Sequence, residues 1–229
     1  WILCDVSFQV MPGQTVAFVG HTGAGKSTIM NLLPRFYDVQ RGTVRVYGVD
    51  VRDMPQAELR RRVGIVMQDV FLFATDIATN ISLGDNAIDR DRVERSARIV
   101  GADAFIDRLP GGYDAQVVER GLNLSTGQRQ MVSFARALAY DPSVLILDEA
   151  TSSGDSETEE ALQRAMRTLA SGRTTLVVAH RLTTVRDADR IFVMHRGRIV
   201  EEGRHEELLQ RDGLYRTLWR LQYEGGDSP

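Results

Sequence analysis

The segment Gly20-His21-Thr22-Gly23-Ala24-Gly25-Lys26-Ser27 constrains this chain more than any other. It satisfies the pattern G-x-x-x-x-G-K-[ST] at every fixed position. The apolar run Thr15 to Val19 (TVAFV) precedes it, and a helical pattern from Ser27 to Phe36 follows. A short apolar run bounded by turns reads as a strand buried on both faces. Strand, glycine-rich loop and helix in that order make a socket for a phosphate chain. Phosphate oxygens need several N–H donors at short range, and glycines let a backbone turn and approach closely. The start of the helix adds partial positive charge. Lys26 supplies a full charge for the β- and γ-phosphates, and the Ser27 hydroxyl suits Mg²⁺. The expected nucleotide-binding set is therefore Gly20, His21, Thr22, Gly23, Ala24, Gly25, Lys26, Ser27 and Thr28. A chance glycine-rich turn is the alternative, and the flanking strand and helix argue against it.

A second apolar run, Val144-Leu145-Ile146-Leu147, ends in Asp148-Glu149. Ligands of parallel sheets bind beyond the carboxyl ends of the strands. Asp148 is expected beside the metal, through a water, and Glu149 one residue further, where it can polarise an attacking water. Alone, the pair would equally fit a solvated acidic turn; the socket upstream decides between the two. His180 follows the run Thr174 to Ala179, and Gln68 follows Val63 to Met67, again at strand ends. His180 can donate a hydrogen bond to the γ-phosphate, and Gln68 can reach the metal or the water. Expected catalytic residues are Glu149, His180, Lys26 and Gln68; expected metal ligands are Ser27, Gln68 and Asp148.

The 229 residues allow one large domain, or one core with an insertion. Apolar content of 43% and charged content of 26% are those of an ordinary globular domain. A net charge of -3 provides no field to recruit nucleic acid or anionic lipid. The lone cysteine, Cys4, excludes an internal disulfide, fits a reducing compartment and reads as a small buried apolar residue. No apolar run approaches the roughly 20 residues of a membrane span, and no signal peptide opens the chain. A start at Trp1 rather than Met reads as a piece of a longer polypeptide.

Along the chain, Ile2 to Val10 alternates loosely and predicts a strand, and Gly42 to Val51 predicts a β-hairpin or edge strands. Strand-like runs recur at Arg190 to Met194 and Arg198 to Val200. Ala161, Leu162, Ala165, Met166 and Leu169 share one face of a helix over Glu157 to Ala170. Residues 69–140 are mostly helical in pattern, broken at Pro110-Gly111-Gly112 and at Gly121 to Gly127. Alternating strands and helices predict an α/β fold with a mainly parallel sheet. The core is expected over 1–68 and 141–223, a helical subdomain over about 69–140, and a flexible tail over 224–229.

With these residues in order, the chain resembles the nucleotide-binding domain of an exporter-type ABC transporter along nearly its whole length. The most specific match is Leu124-Ser125-Thr126-Gly127-Gln128, which resembles the family signature LSGGQ. Gln68 matches the Q-loop, His180 the switch histidine, and Ser152 to Asp155 the D-loop. Glu119-Arg120-Gly121 resembles the X-loop of exporters, and Arg35-Phe36-Tyr37-Asp38 is also exporter-like.

The resemblance implies a P-loop NTPase (RecA-like) core, an antiparallel β-subdomain and an inserted α-helical subdomain. It implies ATP and Mg²⁺ as cofactors, and two such domains closing head to tail over two ATP molecules. Each site would join the cradle of one domain to Leu124, Ser125, Thr126, Gly127 and Gln128 of the other, with Asp155 in the D-loop. It places this domain at the cytoplasmic face of the cell membrane, where a transmembrane domain of the same polypeptide would use the hydrolysis for export. The adenine-stacking aromatic of the family would lie upstream of Trp1. A soluble ABC-type ATPase of DNA repair or chromosome structure is the alternative. The absence of heptads between Gln68 and Leu124, and of a basic face, opposes it.

Four residues, in three motifs, depart from the family pattern. Thr126 stands where the signature has Gly, Ser153-Gly154 where the D-loop has Ala-Leu, and Val118 where the X-loop has Gly. The Thr126 Cβ is expected to crowd the backbone's approach to phosphate. Read without the family, Thr126 is a suitable cap for an amphipathic helix ended by Asp141-Pro142.

Overall fold

A computed structural model describes residues 1–148, 156–179, 182 and 184–223. Among these, two compact units are distinct: the described residues of 1–63, 143–148 and 173–223, and those of 64–142 and 156–172. In chain order the elements are β1 (Thr15–Val19), α1 (Lys26–Leu32), β2 (Arg45–Val46), β3 (Val49–Asp50), α2 (Gln56–Arg62) and β4 (Val63–Val66). Then come α3 (Ile77–Ser82), α4 (Arg90–Val100), α5 (Asp103–Ile106), α6 (Thr126–Tyr140) and β5 (Val144–Asp148). The chain closes with α7 (Ser156–Ala170), β6 (Thr174–Val178), β7 (Arg190–His195), β8 (Arg198–Gly203), α8 (His205–Gln210) and α9 (Leu214–Tyr223).

In the first unit the strand order is β5-β6-β1-β7-β8. The pairings β5–β6, β6–β1 and β1–β7 are parallel, and β8 returns antiparallel to β7. Central strands of a parallel sheet are covered on both faces, so they need unbroken apolar runs. Val16, Ala17, Phe18, Leu145, Ile146, Val178, Ile191, Phe192 and Val193 are accordingly buried. By contrast β8 alternates exposed and half-buried residues, as an edge strand does. The register is what positions chemistry. Val178 of β6 is level with Phe18 of β1 on one side and with Asp148 of β5 on the other. The carboxyl ends of three neighbouring strands therefore meet at one edge of the sheet.

The short strands β2 and β3 form an antiparallel pair, as the alternation of residues 42–51 predicts. They are joined by Tyr47-Gly48, both at positive φ, which suits the right-handed twist of a hairpin. Two local expectations are revised. Residues 1–14 contain no strand. The alternation there is real, since Val6, Phe8 and Val10 are half-buried between exposed neighbours. Phe8 packs against the rings of Phe18 and Phe192 at 5.2 and 5.3 Å. Backbone pairing is limited to single bonds such as Cys4 N–H to Gly197 O (2.8 Å), so the pattern reports side-chain burial without a ladder. Helix α1 also ends at Leu32 and does not reach Phe36. Pro34 cannot continue the hydrogen-bond ladder, and Arg35 takes a left-handed conformation.

The second unit is built around α6. Its Val132, Ala135 and Ala139 are fully buried, and it packs against α3, α4 and α7. Helix α7 thus groups with the helical unit, its Ala165 and Leu169 buried as their helical spacing predicts. Asn80 is wholly buried and fully used. Its Oδ1 accepts from Phe73 N, its Nδ2 donates to Phe73 O and Asp76 O, and its own carbonyl accepts from Arg136 Nε at 2.8 Å. Among the described residues, no helix is long and apolar enough to cross a membrane.

The sheet makes a direct prediction. Ile146→Ala, in the middle of β5, should cost about 2–5 kcal/mol of stability by urea denaturation. A loss below about 1 kcal/mol would show that the strand is not packed as described.

Candidate active site

Strand β1 runs into Gly20, and the loop that follows is shaped by what its glycines lack. Gly20 has φ 150, and a Cβ there would fall 2.3 Å from Met194 O. Gly25 has φ 102 and precedes α1 directly; a Cβ there would meet Leu3 Cδ2 at 2.7 Å. Neither position accepts a larger residue without movement of backbone or core. Gly25 offers no side chain to cap α1, so its first amides are left for another acceptor. Ala24 is buried, whereas His21, Thr22, Gly23 and Ser27 are exposed and Thr28 is half-buried.

Lys26 is only 5% exposed. Its Nζ donates to Gly20 O at 2.7 Å and to His21 O at 3.1 Å, so the ammonium is tied to the loop that surrounds it. Burial pushes its pKa down, and the negative charge of Asp148 pulls it part of the way back. Asp148 is half-buried at the end of β5, level with Val178. Phe18 O accepts from Ala179 N at 3.2 Å, which carries the register one residue past β6. The loop, the lysine and the carboxylate are thus assembled by one parallel sheet, as their places after apolar runs predict.

Among the described residues of the first unit, the exposed Ser27 hydroxyl and the half-buried Asp148 carboxylate are hard oxygen donors suited to a metal. Among the described residues there is no cluster of three or more His, Cys, Asp or Glu that would make a closed metal cage. Such a sparse oxygen set fits Mg²⁺, which prefers one or two protein ligands together with phosphate oxygens and water.

Gln68 is half-buried just after β4, in the second unit. The signature segment lies in the same unit and has a defined geometry. Ser125, and not Thr126, is the N-cap of α6. Its Oγ accepts from Gln128 N at 3.2 Å, while Gln128 Oε1 accepts from Ser125 N at 2.9 Å. This reciprocal capping box holds Ser125 and Gln128, and does not use the amides of Thr126 and Gly127. Leu124 is buried beneath the cap. A Cβ on Gly127 would come 2.5 Å from Thr158 Cγ2, so glycine lets α7 approach α6 closely. The Thr126 hydroxyl accepts from Arg129 Nη2 at 2.9 Å. Sequence reasoning passed over Arg129; its place three residues beyond Thr126 on a helix is the signal that could have found it. Glu119–Gly121 forms a 3₁₀ turn with Arg120 and Gly121 at positive φ. Glu149, Asp155 and His180 lie outside the described residues, as do Ser152 to Gly154 and the tail 224–229.

Sheet order, glycine loop, buried lysine and strand-end carboxylate define an α/β domain of the P-loop NTPase class. The comparisons with known proteins narrow this. Residues 3–152 match the ABC transporter family. The probable multidrug resistance ABC transporter ATP-binding/permease protein YheH of Bacillus subtilis (strain 168) is 49% identical over 221 residues, or 96% of this chain and 33% of that protein. ATP-binding cassette sub-family B member 6 of Mus musculus is 48% identical over 226 residues, covering 99% of this chain and 27% of that protein. Among solved structures, that of a bacterial Atm1-family ABC exporter with ATP bound superposes with a TM-score of 0.90 at 46% identity, covering 97% of this chain and 39% of that one. The chain belongs to the ABC transporter family. It spans between a quarter and two-fifths of the length of these relatives.

Lys26→Ala should leave the fold intact and weaken ATP binding at least about tenfold, the cost of one charge-assisted contact to phosphate. Calorimetric titration checks this, and unchanged affinity would remove Lys26 from the site.

Proposed function

We propose that this chain binds and hydrolyses ATP with Mg²⁺, and thereby drives export across a membrane as the nucleotide-binding domain of an ABC exporter. The observation that carries the reading is the buried Lys26 ammonium, held by Gly20 O and His21 O and influenced by Asp148 at the end of β5. The relatives support it, since they include an ATP-binding/permease protein and an exporter with ATP bound.

In this reading, residues 20–28 cradle the phosphates through backbone amides and Lys26 reaches the β- and γ-oxygens. Ser27, Asp148 and Gln68 would hold Mg²⁺, which would supply positive charge to offset that of the phosphates. Glu149 accepts a proton from the attacking water as its oxygen bonds to the γ-phosphorus and the bond to ADP breaks. His180 donates a hydrogen bond to the γ-phosphate.

The partner is a second nucleotide-binding domain, from a like or an unlike chain. Its signature segment, Leu124 to Gln128 in this sequence, presents the amides that open α6 to the same triphosphate, and Asp155 of the D-loop joins that interface. ATP then binds the closed pair more tightly than the open one, and its hydrolysis releases the pair. The domain sits at the cytoplasmic face of the cell membrane, and a transmembrane domain of the same polypeptide converts this closure into transport.

Glu149→Gln tests the reading. In the intact transporter it should keep ATP affinity and lower turnover by at least about a hundredfold, the usual weight of a general base. ATP should then hold the two domains together in cross-linking experiments. Turnover near that of the unsubstituted protein would exclude Glu149 as the base.

A further inference from the structure

Arg129 lies one turn into α6 and is half-buried. Its guanidinium makes three bonds to the segment before it. Nη1 donates to Leu124 O at 2.7 Å and to Gly121 O at 3.3 Å, and Nη2 donates to Thr126 Oγ1 at 2.9 Å. The alkyl stem crosses Gly121 at close range. A Cβ on Gly121 would stand 2.9 Å from Arg129 Cδ and 3.2 Å from Cγ, with Leu72 Cδ1 at 3.0 Å on the other side. Gly121 is also left-handed, at φ 72. Both the backbone and the space at 121 therefore select glycine, and the space is filled by Arg129.

Other groups keep the surrounding fold. The capping box of Ser125 and Gln128 starts α6 without help from Arg129. Asn123 ties the chain upstream, accepting from Val118 N at 3.1 Å and donating to Gln116 O at 2.9 Å. Arg129 adds something different. It joins the Glu119–Gly121 turn, the residue before the cap and the first residue of α6 in a single rigid fork. A planar guanidinium with five donors can do this, whereas a lysine ammonium cannot span the same acceptors. Thr126 supplies one of the three acceptors, and glycine there would supply none.

We propose that Arg129 is a positioning residue for ATP-driven closure, holding Leu124 to Thr126 against the Glu119–Gly121 turn so that the first amides of α6 meet a partner's triphosphate in one orientation. Thr126 is part of this device through its hydroxyl, which accepts from Arg129. The proposal rests on the exporter reading above. Arg129 itself touches no nucleotide; it acts through the signature segment.

The test uses the intact transporter and Mg²⁺-ATP, with three readouts: turnover at saturating ATP, nucleotide affinity of the cradle, and unfolding temperature. Arg129→Lys should lower turnover about tenfold, while cradle affinity stays within about twofold and the unfolding temperature is nearly unchanged. Thr126→Val, which removes one acceptor and keeps the shape, should lower turnover about threefold, and Thr126→Ser should restore it to within about twofold. Should Arg129→Lys fail to fold, the Val and Ser pair at 126 decides alone. Turnover within twofold of the unsubstituted protein in Arg129→Lys and Thr126→Val would overturn the proposal and leave the exporter reading standing. So would a fall in turnover matched by an equal loss of affinity or stability, which marks a purely structural arginine. An unsubstituted transporter with no Mg²⁺-dependent ATP hydrolysis would defeat the exporter reading, and this proposal with it.

Discussion

An ammonium group taken out of water loses a hydration shell worth several kcal/mol, and a fold retains it only where other dipoles take its place. At Lys26 those dipoles are the carbonyls of Gly20 and His21, turned inward by a loop that glycine alone can follow. The negative charge of Asp148 offsets part of the desolvation. The arrangement concentrates positive charge and helix-start amides in one small volume. It is a poor solution for stability and a good one for an anion carrying several oxygens. Conformational demands elsewhere in the first unit follow from it. Met194 O occupies the place of a Gly20 side chain, and Leu3 that of a Gly25 side chain, so β7 and the first residues of the chain pack directly on the loop.

The parallel sheet turns this loop into part of a site. Strands of equal direction end at the same edge, and the shared register at Val178 sets β1 and β5 level there. Two strand spacings of roughly 5 Å separate them, a distance that a phosphate chain and a hydrated metal can bridge. The second unit solves a related problem by other means. Its helix α6 opens with a reciprocal cap that satisfies Ser125 and Gln128 and leaves the next amides for an external acceptor. Both units thus contain a helix start with amides that no side chain caps.

Much of this was legible in the sequence because the relevant signals are local. Glycines at fixed offsets from a lysine report backbone conformation directly, and unbroken apolar runs at 15–19 and 144–147 report burial on both faces. The acidic end of the second run then fell at the strand end where register places it. Features set by tertiary packing were less legible. The alternation at residues 2–10 reflects Phe8 packing on Phe18 and Phe192, which period alone cannot tell from a strand. The cap falls to Ser125, which suits it as well as Thr126 does, and the contact of Thr126 with Arg129 requires a folded turn at Gly121. The grouping of α7 with the helical unit comes from its packing on α4 and α6, which no spacing rule announces.

The most direct measurement is a crystal structure of the protein with Mg²⁺ and a slowly hydrolysed ATP analogue. The account predicts a triphosphate inside the loop of residues 20–27, with Lys26 Nζ drawn from the carbonyls of Gly20 and His21 to the β- and γ-oxygens, and the metal between Ser27 and Asp148. A triphosphate bound elsewhere, or a Lys26 still tied to its own loop with nucleotide present, would contradict it.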